Sequence, residues 1–358
     1  MKQAMQTESE QLMLRIKARI EQSLKQFITT IDRRFLLCKL SPLLLHNIQD
    51  FVLRDGKRIR PMLFIVGYLG FSRKAASNLY TCALSFELLH DFTLIHDDII
   101  DKSETRRGRP AVHTMLNHYL ARFKKLKFNG QDLAIVIGDI LYAMALYAFL
   151  SIKIDHRRKE RALQKFIETT ICTGAGEFNE LLYGAENIET VTKDHIYKTY
   201  DLKTAYYSFA SPLIIGAELA GASRQQCAAL SRYGVCIGRA FQIQDDILGM
   251  FASEQDIGKS VLADLQEAKK TILVWYAYRA ATSKDKKTIQ KILSRRQVTP
   301  ADVMAMKQII SATGALGFAR QEIEALYRTS RHLLDSLAMK KKYRDLLGRF
   351  AAQLLQIG

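Results

Sequence analysis

Proline is scarce in this chain, with five residues among 358, and glycine is scattered rather than clustered. That leaves long segments free of helix breakers and disfavours turn-dense all-β folds. No series of strand-like alternations runs through the sequence, and no linker rich in Pro, Gly or Ser divides it. No internal repeat is evident. The five cysteines (Cys38, Cys82, Cys172, Cys227 and Cys236) are odd in number and widely spaced, with no C-x-x-C pair. They exclude a disulfide framework or zinc site and are expected to be buried, reduced thiols of a cytoplasmic protein. The first residues are polar and charged, so no signal segment is expected. The longest apolar stretch, Leu133–Leu150, contains Gly138 and Asp139. A carboxylate is costly in lipid, so a buried bundle helix is expected there and no transmembrane segment.

Cations are plentiful: 53 Lys and Arg against 36 Asp and Glu give a net charge of +17. Such an excess attracts polyanions, anionic membranes or anionic small molecules. Runs such as Arg122–Lys127 and Arg157–Arg161 read as solvated helix ends or loops. No zinc finger or RNP-like sequence accompanies them, so no nucleic-acid partner is expected.

Helical periodicity recurs almost throughout. Leu12, Ile16, Ile20, Leu24, Phe27 and Ile31 fall at spacings of three and four, so residues 1–40 should carry an amphipathic helix packed on the rest. Further helices are predicted over 75–102, 111–121, 133–152, 158–183, 193–219, 224–251, 264–282 and 287–294. Several more follow from 300 to 357, and 106–110 forms a break. The expectation is a single all-α domain spanning residues 1–358, with about ten or more helices.

Carboxylates end one apolar helix. In Leu94-Ile-His-Asp-Asp-Ile-Ile-Asp101, Asp97 and Asp101 are four apart and Asp98 is three from Asp101, so all three can share one helix end. Their mutual repulsion and desolvation call for cations, and hard oxygen ligands at this spacing suit Mg²⁺ shared with phosphate. A polar helix terminus beside Lys102 and Arg106 is the plainer alternative. Phe241-Gln-Ile-Gln-Asp-Asp-Ile247 repeats the theme with Asp245 and Asp246, and Gln242 lies on their face. Two such clusters on facing helices could hold a diphosphate between metal ions. Basic groups bracket them: Lys57, Arg58 and Arg60 in Gly56–Pro61, Arg106, Arg107 and Arg109 in the break, then Lys203 and Lys259. Guanidinium forks and lysine point charges both suit phosphate oxygens.

Together these motifs resemble the trans-isoprenyl diphosphate synthases, or polyprenyl synthetases, over about residues 50–350. The matching segments are GKRIRP (Gly56–Pro61), ELLHDFTLIHDDIID (Glu87–Asp101), RRGRP (Arg106–Pro110) and GD (Gly138-Asp139). They continue with KT (Lys203-Thr204), FQIQDD (Phe241–Asp246), GK (Gly258-Lys259) and DLQEAKKT (Asp264–Thr271). The resemblance implies the all-α isoprenoid synthase type I fold, a helical bundle with a central active-site cavity, working as a homodimer. It implies head-to-tail condensation of isopentenyl diphosphate with an allylic diphosphate, using Mg²⁺, with three ions when substrate is bound.

By the same resemblance, Lys57, Arg60, His90 and Arg107 bind isopentenyl diphosphate without metal. Asp97, Asp98 and Asp101 hold Mg²⁺ on the allylic diphosphate, with Asp245 and Asp246 holding another ion. Arg106, Lys203, Gln242, Lys259 and Lys269 contact the allylic substrate, and Thr204 lies beside the carbocation. His90 alone could equally be a satisfied core histidine, Thr204 a helix residue bonding to its own backbone, and Asp139 a supporting partner. Gly249 stands where many members carry a third Asp, which thins the second metal site. Mg²⁺, Arg106, Lys203 and Lys259 would stabilise the departing diphosphate, and apolar walls would protect the cation. Phe92, five residues before Asp97, with the small Thr93 beside it, suggests a geranylgeranyl product. Farnesyl is the near alternative. A class I terpene cyclase would lack the need for GKRIRP, and a non-catalytic synthase subunit would be expected to lose an acidic motif.

Overall fold

The structure, a computed structural model, describes residues 8–252 and 263–356. Helix dominates, as the periodicity predicts. Contacts divide the chain into two compact units. One comprises Met1–Leu163 with Ile215–Ala222 and Lys340–Leu346. The other comprises Gln164–Ile214, Ser223–Met339 and Leu347–Gly358.

In the first unit, α1 (Glu8–Phe35) buries Ile16, Ile20, Leu24, Phe27, Ile28 and Ile31 along the predicted stripe. Each buried side chain of this size contributes about 1.5–3 kcal/mol, so the packing rather than local propensity holds the helix. Helices α2 (Leu37–Leu40), α3 (Pro42–Val52) and α4 (Ile59–Phe71) lead to α5 (Leu79–Ile100), against which α1 and α4 pack. The helix predicted over 75–102 thus starts later: Asn78 sits in the left-handed region at φ 63° immediately before it.

A small sheet occupies the predicted break. β1 (Thr105–Arg106) pairs antiparallel with β2 (Arg109–Pro110), and Gly108 at φ 69° lets the chain turn between them. Two-residue strands carry no alternation, so periodicity could not show them. Then come α6 (Val112–Leu120) and α7 (Gly130–Leu150). Asn129 caps α7, accepting from the Gln131 amide at 2.7 Å, while Asp132 accepts from the Asn129 amide at 2.8 Å. Helix α7 packs along α5, yet only 44% of its most apolar window is buried. It is long and apolar enough to cross a membrane and is less buried than the core helix expected there.

Helix α8 (His156–Ala185) carries the chain into the second unit, where α9 (Lys193–Tyr200) runs into a π-helical stretch, Asp201–Ala210; α10 (Ser211–Ala220) follows and belongs from Ile215 to the first unit. The predicted helix over 193–219 is therefore interrupted at Lys203-Thr204, and π-helical turns often mark functional sites. α11 (Arg224–Phe251) packs against that stretch through glycine. A methyl group on Gly238 would meet the Ala205 Cα at 2.4 Å, so only glycine permits the approach. α12 (Ala263–Gln266) and α13 (Ile272–Ala280) replace the one helix predicted over 264–282. Ala268, left-handed at φ 51°, breaks it, and Thr271 caps the new start. Within α13, Trp275 donates from its indole nitrogen to the Val191 carbonyl at 3.1 Å. α14 (Ser283–Leu293), α15 (Pro300–Ala312), α16 (Ala315–Asp335) and α17 (Lys341–Leu354) complete the chain, with α16 packed on α11.

No disulfide joins the five cysteines. Their expected burial holds only for Cys82; Cys38 is exposed and the other three lie partly exposed.

Candidate active site

In the first unit, α5 carries two chemistries along one axis. His90 and Asp97 are seven residues apart, about 10 Å at 1.5 Å per residue. Around His90 gather Arg60, Arg107 and Arg106. Burial first, and these positive neighbours next, hold its imidazole well below the usual histidine range. His90 is therefore neutral at pH 7, a hydrogen-bonding group within a cationic pocket. Thr93 donates its hydroxyl to the His90 carbonyl at 2.8 Å.

Arginines of the β1–β2 hairpin reach the pocket because another arginine holds the hairpin down. Buried Arg54 on the α3–α4 connection pairs with Asp50 at 2.7 Å and donates to the Arg106 and Pro110 carbonyls at 3.1 and 2.8 Å. Arg109 closes on the same Asp50 at 2.6 Å. Arg107, left-handed at φ 54°, then points its guanidinium at Asp91 (3.4 Å) and Glu87 (3.6 Å). Its guanidinium carbon also lies 3.6 Å from where a methyl on Gly56 would sit, at the start of the Gly56–Pro61 segment.

Arg58, a candidate phosphate ligand on charge alone, is instead a core residue. Its guanidinium is fully buried, bonded to Glu87 at 2.6 Å, Glu21 at 2.7 Å and the Arg54 carbonyl at 2.6 Å. Those partners leave it no face for a ligand. Burial, then Glu87, push the Asp91 carboxyl up to about 8, against the pull of Arg107 and Arg58. Glu87 and Asp91 lie within the Glu87–Asp101 motif, one turn apart on α5. They form the acidic backing of the arginine pocket, and their spacing of four on an apolar helix was the available signal.

One end of α5 holds the carboxylates. Asp97 and Asp101 each offer an oxygen within 4.8 Å of the other, close to what two ligands of one Mg²⁺ span at about 2.0–2.1 Å each. Asp98 is buried and bonded to Arg106 Nε at 2.7 Å, and Arg106 also lies 3.4 Å from Asp97. Arg106 therefore sits on the carboxylates themselves. Behind them, His96 lies over Gly138: a methyl there would meet the imidazole Nε2 at 2.7 Å and the ring would have to move. Asp139 is 3.8 Å from His96, a supporting partner. Phe92 packs edge-on against His96 at 4.6 Å and against Tyr142 of α7 at 5.3 Å.

In the second unit, Asp245 is exposed and Asp246 buried on α11. Asp246 accepts from the Tyr200 hydroxyl and from Gln242 at 3.0 Å, while Thr204 donates to Gln242 at 2.7 Å. The Ile272 amide donates to the Tyr200 oxygen at 2.9 Å. Burial, then Asp246, keep the Tyr200 phenol well above its usual range, so it stays a donor. Thr204 thus bonds to Gln242 rather than to its own helix, and Asp246 is anchored in a network that leaves Asp245 the more accessible carboxylate. Lys203 lies between Glu177 (2.6 Å) and Glu180 (2.5 Å) of α8, two carboxylates outside the matching motifs that three-residue spacing puts on one face. Lys269 pairs with Glu267 at 2.5 Å. Lys259 lies outside the described residues.

The model of the polyprenyl synthetase family matches residues 41–311. A short chain isoprenyl diphosphate synthase of Methanocaldococcus jannaschii is 30% identical over 296 residues, 82% of this chain and 81% of the relative. A geranylgeranyl diphosphate synthase of Sulfolobus acidocaldarius is 31% identical over 299 residues, covering 82% and 83%. Among solved structures, a geranylgeranyl pyrophosphate synthase from Corynebacterium glutamicum, complexed with isoprenyl diphosphate and magnesium, superposes with a TM-score of 0.86. It is 27% identical, over 95% of this chain and 98% of that one. With the family model spanning both acidic motifs and most of the helices, this chain belongs to the polyprenyl synthetase family and has its all-α isoprenoid synthase fold.

Proposed function

We propose that the chain condenses isopentenyl diphosphate head to tail with an allylic diphosphate, releasing diphosphate and a short trans-prenyl diphosphate, with geranylgeranyl diphosphate the favoured product. The observation that carries this is α5: a cationic pocket around neutral His90 and a carboxylate end at Asp97 and Asp101 lie about two turns apart on one helix. Such a helix offers one subsite to a bare diphosphate and a second to a metal-bound one.

Lys57, Arg60 and Arg107 grip the diphosphate of isopentenyl diphosphate, and His90 donates to it. Asp97 and Asp101, with Asp98 behind them, would hold Mg²⁺ on the allylic diphosphate, with Asp245 holding a further ion and three ions present in all. Bound there, Mg²⁺ supplies positive charge to the leaving group. Arg106, Lys203 and Lys269 would add positive charge to the same group. Thr204 and Gln242 lie by the allylic carbon, and apolar side chains keep water away. The C–O bond breaks, the isopentenyl double bond attacks the allylic carbon, and a proton passes to the released diphosphate. Phe92, braced by Tyr142 and His96, limits the growing chain. The chain works in the cytoplasm as a homodimer, for which the exposed apolar face of α7 (Ile135, Val136) is the candidate contact.

The test is elongation by purified protein with Mg²⁺, isopentenyl diphosphate and dimethylallyl, geranyl or farnesyl diphosphate, with products sized by chromatography. Turnover giving a twenty-carbon main product is expected, and Phe92→Ala should lengthen it. No elongation with any starter would sink the reading, and a fifteen-carbon main product would change its name. Asp97→Ala and Asp245→Ala should each cost about a thousandfold or more in kcat while the helical signal stays intact.

A further inference from the structure

The connection between α6 and α7 is the feature that the proposed chemistry leaves unexplained. Every residue from Ala121 to Asn129 is exposed. Within it, Arg122, Lys124, Lys125 and Lys127 alternate with Phe123, Leu126 and Phe128, and the segment holds no acidic residue. The three apolar side chains are large and poorly covered, at 49, 39 and 46% exposure. Arg122 stacks over Tyr119 at 3.8 Å and over Phe123 at 5.0 Å, so the aromatic end of α6 continues into the loop. Asp132, the next carboxylate, is turned back to cap α7 and offers the lysines no partner.

A solvated loop would carry the charges without the rings, and a packed loop would bury the rings. Exposed aromatic and aliphatic side chains interleaved with cations match one environment: an anionic lipid surface. There, apolar groups enter the headgroup boundary while lysines and arginines meet phosphates. The chain's net charge of +17 acts in the same direction.

We propose that residues 121–129 dock the protein reversibly on anionic membranes, with Phe123, Leu126 and Phe128 entering the interface and Arg122, Lys124, Lys125 and Lys127 pairing with lipid phosphates. The docking is independent of turnover, since none of these residues belongs to the proposed active site. If the product is a prenyl diphosphate, the loop would bring its amphiphilic tail next to a compatible phase.

The experiment is co-sedimentation of the full chain with vesicles of phosphatidylcholine alone or mixed with phosphatidylglycerol, at low and high salt. Three variants are compared: Lys124→Glu/Lys125→Glu/Lys127→Glu, Phe123→Ser/Leu126→Ser/Phe128→Ser, and Lys284→Glu/Lys287→Glu/Lys291→Glu on exposed α14. The third makes the same charge change without touching the loop. The wild type should bind the anionic vesicles and be weakened by salt. About fivefold is expected for each basic residue lost, so the first variant should lose about a hundredfold. The serine variant should lose about tenfold, and the α14 variant should stay near the wild type. Turnover of soluble substrates should be unchanged in all three.

Several results would overturn the proposal. One is no binding to anionic vesicles; another is equal losses from the α14 and loop charge reversals, which would mean diffuse charge alone. Loop-dependent binding of single-stranded RNA without vesicle binding would assign the loop to nucleic acid. A serine variant that turns a dimer into a monomer, with vesicle binding absent, would assign it to a second copy of the chain.

Discussion

At the scale of single residues, charge type alone misleads and burial decides. Lys57, Arg58 and Arg60 looked alike in the sequence, yet Arg58 points into the core and ties Glu21 and Glu87 to the α3–α4 connection. Arg58→Met should therefore lower stability by about 3–5 kcal/mol, the cost of stranding the buried Glu87 carboxylate, read as a fall in the denaturant midpoint at unchanged slope. Asp91 gives the complementary case. Its carboxyl rises from 3.8 to about 8 in the folded chain. Below 3.8 both states hold the proton. Between 3.8 and about 8 the unfolded chain releases it and the folded chain does not, so stability falls as pH rises across that window. Asp91→Asn should flatten that fall in thermal melts between pH 5 and 8. An equally steep slope in the variant would mean that another group titrates there.

At the scale of elements, legibility followed the length of the repeating pattern. The stripe of α1 and the apolar body of α5 span several turns, so their faces could be read from spacing, and so could the carboxylates at the end of α5. What escaped was short or set by a single backbone torsion. The β1–β2 hairpin has two residues per strand. The break between α12 and α13 depends on Ala268 in the left-handed region, which alanine rarely adopts and which no local signal announces. The π-helical stretch lies against Gly234 and Gly238 of α11, which meet its Ala210 and Ala205, a pairing that no local pattern announces. Likewise, Glu177 and Glu180 gain meaning only once Lys203 is seen between them. Arg54, which holds the hairpin by its carbonyls, shows how a residue that touches no diphosphate can tune the site. Arg54→Ala should free Arg106 and Arg107 from their register and raise KM for isopentenyl diphosphate about tenfold, with Arg54→Lys restoring part of it. Unchanged KM would show that the two arginines hold their places without the clamp.

At the scale of the whole molecule, the chain combines a surplus of positive charge with a substrate class that is uniformly anionic. That surplus favours encounter with diphosphates and makes association salt-sensitive. The expectation of one domain from 1 to 358 is, physically, a statement about cooperativity: units sharing a core unfold together. The chain contains a single tryptophan, and its indole is bonded to the Val191 carbonyl within the second unit. Its emission is thus an optical reporter confined to one half of the chain, whereas circular dichroism at 222 nm averages over every helix. If the domain is one, the two signals should trace a single urea transition, and an early fluorescence change would reveal a half that melts first. Nature has already placed the label.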